Sequence, residues 1–258
     1  MAFESYVDGL QAVLDRIKRE QASNIKAAGQ LVAAALSAGG VIHTFGTGHS
    51  HLIADEAFFR AGGIAAINPI LDERFIFLKG ALESTRAERE NGLARELIAP
   101  EDVRTEDAAI IISNSGRNAV PVEMALEMKA RGVKVIAITN LEQSRASAPR
   151  HSSGKRLFEL ADVAIDNCGL SGDALLSLPG LETKIGPSST VAGAAIINSI
   201  IVEAVSELLS RGERVPVLPS ANVEGVSEET LKSILAPYKG RIKYLDVDEF
   251  VASTRAKV

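Results

Sequence analysis

The period of the hydrophobic positions changes several times along this chain, and each change marks an element. Residues 3–37 carry apolar side chains at three- and four-residue spacing: Val7, Leu10, Val13, Leu14 and Ile17, then Ile25, Ala28, Leu31, Val32 and Leu36. This spacing predicts one long amphipathic helix or a helical pair, ended by Gly39-Gly40. Val41–Phe45 then reads as a strand, His51–Ala61 as a helix stopped by Gly62-Gly63, and Ile64–Ile67 as a second strand closed by Asn68-Pro69. Leu82–Ile98 reads as a helix laced with Glu83, Arg86, Glu88, Arg89, Glu90, Arg95 and Glu96. Such a helix is either a solvated surface element or a cover that lends a charge to a site.

The chain is organised around Ala108–Ile112, five consecutive apolar residues between Asp107 and Ser113. A run this short and this rich in β-branched residues suits a strand buried on both faces of a parallel sheet. Ala119–Arg131 follows as helix, Val133–Thr139 as the fourth strand, residues 143–154 as a loop with a helical turn, and Val163–Asp166 as the fifth strand. The β-α-β alternation over residues 41–166 implies an α/β fold with a doubly wound, five-stranded parallel sheet and right-handed crossovers.

Residues 169–189 include Gly172, Pro179, Gly180, Gly186 and Pro187 and carry little periodicity, so this long connection is expected to be functional or disordered. Val191–Leu209 is apolar but interrupted by Asn198, Ser199, Glu203, Ser206 and Glu207, which predicts a buried or interface helix rather than a membrane span. Beyond it lie a Pro-containing connector, a short helix near Ser227–Leu235 and a last strand at Ile242–Leu245. Three units are therefore expected: an N-terminal helical segment (1–37) packed on the core, an α/β domain (38–210) and a C-terminal tail (211–258).

Composition narrows the partners. With 46% hydrophobic and 24% charged residues in 258, the chain is ordinary for a soluble globular protein. The net charge of −5, with no dense Lys/Arg block, argues against a nucleic-acid partner. A single cysteine, Cys168, rules out an intramolecular disulfide, suits a cytoplasmic location and reads as a small buried apolar residue. The opening MAFESYVDGLQ lacks the basic and apolar regions of a secretory signal.

The candidate chemistry lies in three hydroxyl-rich turns, each leading into a helix: Gly46-Thr47-Gly48-His49-Ser50, Ser113-Asn114-Ser115-Gly116-Arg117-Asn118 and Pro187-Ser188-Ser189-Thr190. Backbone N–H groups of a first helical turn are unpaired and the helix dipole favours negative charge there. A phosphate takes about three to six donors, which hydroxyls and amides supply together. The plainer reading of each turn is a helix cap, with Ser115 or one of Ser188–Thr190 as N-cap. The first turn has His51 where a dinucleotide fingerprint needs its third glycine, and it lacks the Gly-Lys ending of a Walker loop, so no cofactor is expected.

Candidate acid/base groups are Glu56, six residues past Ser50; His49, within the first turn beside His51; and Glu182, where a lid or a neighbouring subunit would present it. Glu56 reads equally as a partner of Arg60, His43 as a packed core residue and His151 as exposed. His49, His51 and Asp55 could be imagined around a metal, but the two rings diverge at a helix start, and no metal site is expected.

The G-x-G-x-S loop (Gly46–Ser50) and the S-x-S-G-x-[ST]-like loop (Ser113–Asn118) resemble the two signatures of the SIS (sugar isomerase) domain family. Gly186–Thr190 with the Ala-rich helix after it is similar to a third feature seen in the N-acetylmuramic acid 6-phosphate etherase branch, and GTGHSHLIADEAFFRAGG resembles single-SIS proteins of the UPF0309 group. The likeness spans roughly residues 35–210 and departs at Asn118, where a Ser or Thr is usual. It implies a flavodoxin-like three-layer fold, a phosphosugar or amino-sugar phosphate as ligand, and a homo-oligomer (dimer or tetramer) with sites near subunit interfaces. It also implies that Gly48, Ser50, Ser113, Ser115, Gly116, Asn118, Ser188, Ser189 and Thr190 bind the ligand. Isomerisation by a glutamate with histidine help is the activity implied first; phosphosugar elimination and non-catalytic sensing are the alternatives. No helix-turn-helix segment accompanies the domain, which disfavours sensing linked to DNA.

Overall fold

The computed structural model describes residues 1–220 and 227–245. The N-terminal periodic segment folds as a helical pair, α1 (Ala2–Glu20) and α2 (Ala22–Ser37), broken at Gln21. Next come β1 (Ile42–Gly46), α3 (Ser50–Glu56), β2 (Ile67–Pro69), α4 (Ala81–Ala87), α5 (Leu93–Ile98) and β3 (Ala108–Ile112). The middle of the chain continues with α6 (Ala119–Ala130), β4 (Lys134–Thr139), α7 (Leu141–Ala146) and β5 (Val163–Asp166). Two short strands, β6 (Ala174–Leu176) and β7 (Ile185–Pro187), precede the long helix α8 (Ser189–Ser210), and α9 (Glu228–Leu235) follows.

Strands β1 to β5 form one parallel sheet in the order 2-1-3-4-5. The period-two alternation of β3 explains its unbroken apolar run. Ala108, Ile110 and Ile112 join the layer of α1, α2, α3 and α8, while Ala109 and Ile111 join the layer of α5 and α6. Both faces are covered, as a parallel sheet built from crossovers requires. Helix α8 is long and apolar enough to cross a membrane by length and composition. Here it turns Ile196, Ile197, Ile200 and Ala204 inward and packs along α2.

Several boundaries differ from the sequence reading. Helix α3 ends at Glu56 because Phe59 takes a φ of 41°, outside the helical region. The second strand lies later than expected: Ile64 forms an antiparallel bridge with Val217, and pairing with β1 starts only at Ile67. The charged segment 82–98 is two helices, parted where Gly92 adopts a φ of 98°. In the long connection, Leu176 pairs with Ile185 and Ala174 with Pro187, giving an antiparallel pair instead of a featureless loop.

Of the tail (211–258), residues 221–226 and 246–258 lie outside the described residues, and the described part is bound into the fold. Leu218, Leu231, Leu235, Ile242 and Leu245 bury against Val41 and Ala65. Residues 242–245 are turn rather than strand; Ile242 and Leu245, three apart, reach one cluster through helical-turn spacing, and the Leu245 N–H donates to the Ile242 carbonyl at 3.2 Å.

At the N-terminal end of the sheet, His43 is buried, as its strand position predicted. Its Nε2 lies 3.0 Å from Asp107 Oδ2 and its Nδ1 3.0 Å from the Asn68 amide. Asp107 also receives the N–H groups of Val41 and Arg104 and both of its oxygens lie 2.9 Å from Arg241 Nη2. Burial alone pushes the Asp107 carboxyl up; the bonds from His43, the two amides and Arg241 outweigh it and hold the group at about 2.

Candidate functional site

The strand order reverses between β1 and β3, and ligands in such sheets bind in the crevice beyond the carboxyl ends at that point. Gly46 pairs with Ile112, so the turns after β1 and β3 leave the sheet side by side. Glycine is needed in both. A Cβ on Gly46 would lie 2.4 Å from the Ser50 carbonyl oxygen, which would block the tight entry to α3. Gly116 has a φ of 59°, and a Cβ there would lie 2.7 Å from Thr139 Oγ1 and Ser144 Oγ.

A cavity of about 460 Å³ opens between the two turns. Gly48, His49, Ser50, Ser113, Ser115 and Asn118 line it, as do Ser189 and Thr190 from the start of α8. Gly116 and Ser188 do not line it: Gly116 shapes the turn, its N–H donating to Ser113 Oγ at 3.2 Å, and Ser188 is buried beneath the α8 start. The N-cap of α6 is Asn118, not Ser115, because the helix begins at Ala119. Ser115 is thereby left to face the cavity. Asn118 Oδ1 accepts from Arg150 Nη1 at 2.7 Å. Its amide hydrogens are consequently the group available to a ligand, an orientation assigned from the hydrogen-bond network.

The third turn differs most from expectation. Asp173, at a φ of 65°, sets its carboxylate on the α8 start. Oδ1 accepts from Ser188 N (3.0 Å), Ser189 N (2.7 Å) and Ser188 Oγ (3.2 Å), and Oδ2 from Ser189 Oγ (2.6 Å). A carboxylate of the chain itself therefore holds the donors that the sequence offered to a phosphate. Thr190 keeps an open position on the cavity wall.

Neither expected glutamate lines the cavity. Glu56 is six residues past Ser50, which carries it about 9 Å along the helix and about 240° around it. There it pairs with Arg60 and accepts from Asn198 Nδ2 at 3.5 Å. Glu182 sits exposed in the turn between β6 and β7. The carboxylate that does line the cavity, besides Asp173, is Glu88 at the end of α4, whose Oε2 accepts from Thr47 Oγ1 at 3.0 Å. The charged segment after β2 is thus a cover that brings a charge to the site, with Ser84 and Thr85 beside it. Its signal was the cluster of acidic residues there, but nothing in the spacing singled out Glu88. Thr47 lay inside the Gly46–Ser50 turn without a role of its own, and Asp173 had no motif to mark it.

His49 faces the cavity, its ring 5.1 Å from that of Phe77. His51 turns away, with Nδ1 2.6 Å from the Gly48 carbonyl oxygen. Among the described residues no three His, Cys, Asp or Glu side chains gather as a metal site. Cys168 is buried, and burial followed by the charge of Asp166 pushes its thiol up to about 11, which keeps it protonated and unreactive.

The geometry defines a class: a flavodoxin-like α/β protein with hydroxyl-rich turns around a cavity at its switch point. A family model described as the SIS domain matches residues 5–140. A UPF0309 protein of Geobacillus sp. (strain WCH70) is 40% identical over 242 residues, covering 94% of this chain and 98% of that relative. Another UPF0309 protein, from Thermoanaerobacter pseudethanolicus, is 42% identical over 244 residues, 93% of this chain and 98% of its own. The chain belongs to the SIS domain family, in its UPF0309 group. Among solved structures, phosphoheptose isomerase from Neisseria gonorrhoeae matches with a TM-score of 0.53 at 14% identity, over 80% of this chain and 97% of that one, a likeness of fold.

Proposed function

We propose that the protein binds a phosphorylated sugar, with its phosphate on Ser113–Asn118 and Ser50, and interconverts the aldose and ketose forms. The observation that carries this reading is that Glu88 lines the same cavity as Ser50, Ser113 and Ser115, with Thr47 orienting its carboxylate. Aldose–ketose exchange needs no external oxidant: a base removes the proton from the carbon beside the carbonyl and returns it to the former carbonyl carbon through an enediol. Glu88 takes and returns that proton. His49, across the same cavity, supports transfer between the two oxygens. Glu182 is solvent-facing in the β6–β7 turn, so a role for it requires that turn to close over the cavity or a second copy of the chain to present it.

Self-association belongs to the same reading, because α8 leaves Val202 and Leu209 exposed and α1 leaves Phe3 and Val7 exposed. Sedimentation at micromolar concentration should give a dimer or tetramer; a monomer contradicts it. For the chemistry, sugar and amino-sugar phosphates are screened by thermal shift, and hits are followed by NMR in D₂O. Exchange of the proton beside the carbonyl is expected, falling by about 10²- to 10⁴-fold in Glu88→Gln while binding persists. Binding without exchange or chemical change would turn the reading to a sensing module.

A further inference from the structure

Among the described residues no lysine or arginine lines the cavity, yet two carboxylates, Glu88 and Asp173, do. A phosphorylated ligand entering it meets like charges, which destabilise a bound anion unless cations lie close by. Three arginines stand immediately outside, each next to a lining residue. Arg89 follows Glu88, Arg117 precedes Asn118, and Arg150 donates to Asn118 Oδ1 at 2.7 Å while its backbone N–H donates to the Arg117 carbonyl at 2.9 Å.

Most other arginines among the described residues lie beside a carboxylate, as Arg74 does with Asp72, Arg95 with Glu127, Arg104 with Asp102 and Arg156 with Glu159; Arg145, stacked on Phe158, and Arg214 do not. Among the described residues Arg89, Arg117 and Arg150 have no carboxylate within ion-pair distance. The Arg117 Nε is buried with no hydrogen-bond partner there. The guanidinium of Arg150 is held below its usual range by partial burial and then by the charges of Arg117 and Arg89, with Glu88 opposing. Cations whose charges oppose one another, as those of Arg89 and Arg117 oppose that of Arg150, are stabilised by an added anion.

We propose that Arg89, Arg117 and Arg150 form a second anion subsite at the rim of the cavity, so that the ligand is a sugar bearing an acidic group besides its phosphate. This rests on the phosphate reading of Ser113–Asn118. The hydroxyl turns neutralise one group with N–H and O–H donors, and the arginines take the other by planar, charge-assisted hydrogen bonds. Carboxylate and phosphate both fit such a fork.

The test is calorimetric titration of the full chain with glucose 6-phosphate, 6-phosphogluconate and fructose 1,6-bisphosphate, each at low and moderate salt. The doubly anionic probes should bind about tenfold more tightly than glucose 6-phosphate, with the steeper salt dependence. In Arg89→Gln, whose native side chain makes no hydrogen bond within the described protein, and in Arg89→Gln/Arg150→Gln, that ratio should fall stepwise toward one. A ratio near one in the native protein, or one unchanged in both variants, overturns the arginine subsite alone. Failure of all three probes to bind overturns the phosphate reading with it. Ser115→Ala separates the two, since it should weaken the three probes alike and leave their ratio intact.

Discussion

Helices α6 and α8 both begin beside the cavity, and both follow hydroxyl-rich turns. At α6 the turn closes on itself, Gly116 N–H to Ser113 Oγ, and leaves Ser115 and the Asn118 amide facing the cavity. At α8 the corresponding donors already hold Asp173. The same kind of sequence thus yields an open, cavity-facing turn at one helix and a self-capped start at the other. What separates them is a residue sixteen positions upstream of Ser189, delivered by the β6–β7 hairpin.

The largest effect expected from this contrast is on stability. Asp173→Ala strips an acceptor from two amides and two hydroxyls and should cost about 2–3 kcal/mol in urea unfolding, whereas Ser115→Ala should stay within about 0.5 kcal/mol. Equal costs would erase the distinction. A carboxylate bonded wholly within the protein calibrates it. Asp107 is held at about 2, below its usual 3.8, so it contributes stability above that usual value which is lost as pH falls from about 4 toward 2. The contribution is about 2 kcal/mol, and acid unfolding of Asp107→Asn should lack this step.

Ligand affinity reverses the order. Ser115→Ala should weaken a sugar phosphate about tenfold by titration, while Ser189→Ala, whose hydroxyl serves Asp173, should change it less than about threefold. The smallest effect is expected for Asn118→Ser, which restores a hydroxyl donor to the turn and should alter affinity by about twofold. A tenfold loss in Ser189→Ala would mean that the phosphate displaces Asp173 from α8.

Much of this was legible in the sequence because it is local. The unbroken apolar run Ala108–Ile112, the glycines at 46 and 116, and helical spacing in residues 3–37 each report a constraint within a few neighbours. The five-strand parallel sheet follows from their order, since β-α-β crossovers leave few topologies. The two main turns of the cavity follow from it too, because the switch point lies between β1 and β3.

Other features were not legible, since they depend on which distant segments meet. Glu56 and Glu182 were plausible by distance along the chain, yet helix rotation turns one away and the hairpin exposes the other. Glu88 reaches the cavity because the chain breaks before Gly92 and Thr47 holds its carboxylate, a contact spanning forty-one residues. Likewise, no local pattern joins Asp107 to Arg241 or Asp173 to Ser189. Periodicity and turn chemistry determined the sheet, its order and the two turns that flank the cavity. Only tertiary structure decided which carboxylates face that cavity and which helix start is already filled, because charges act through space while sequence spacing measures distance along the chain.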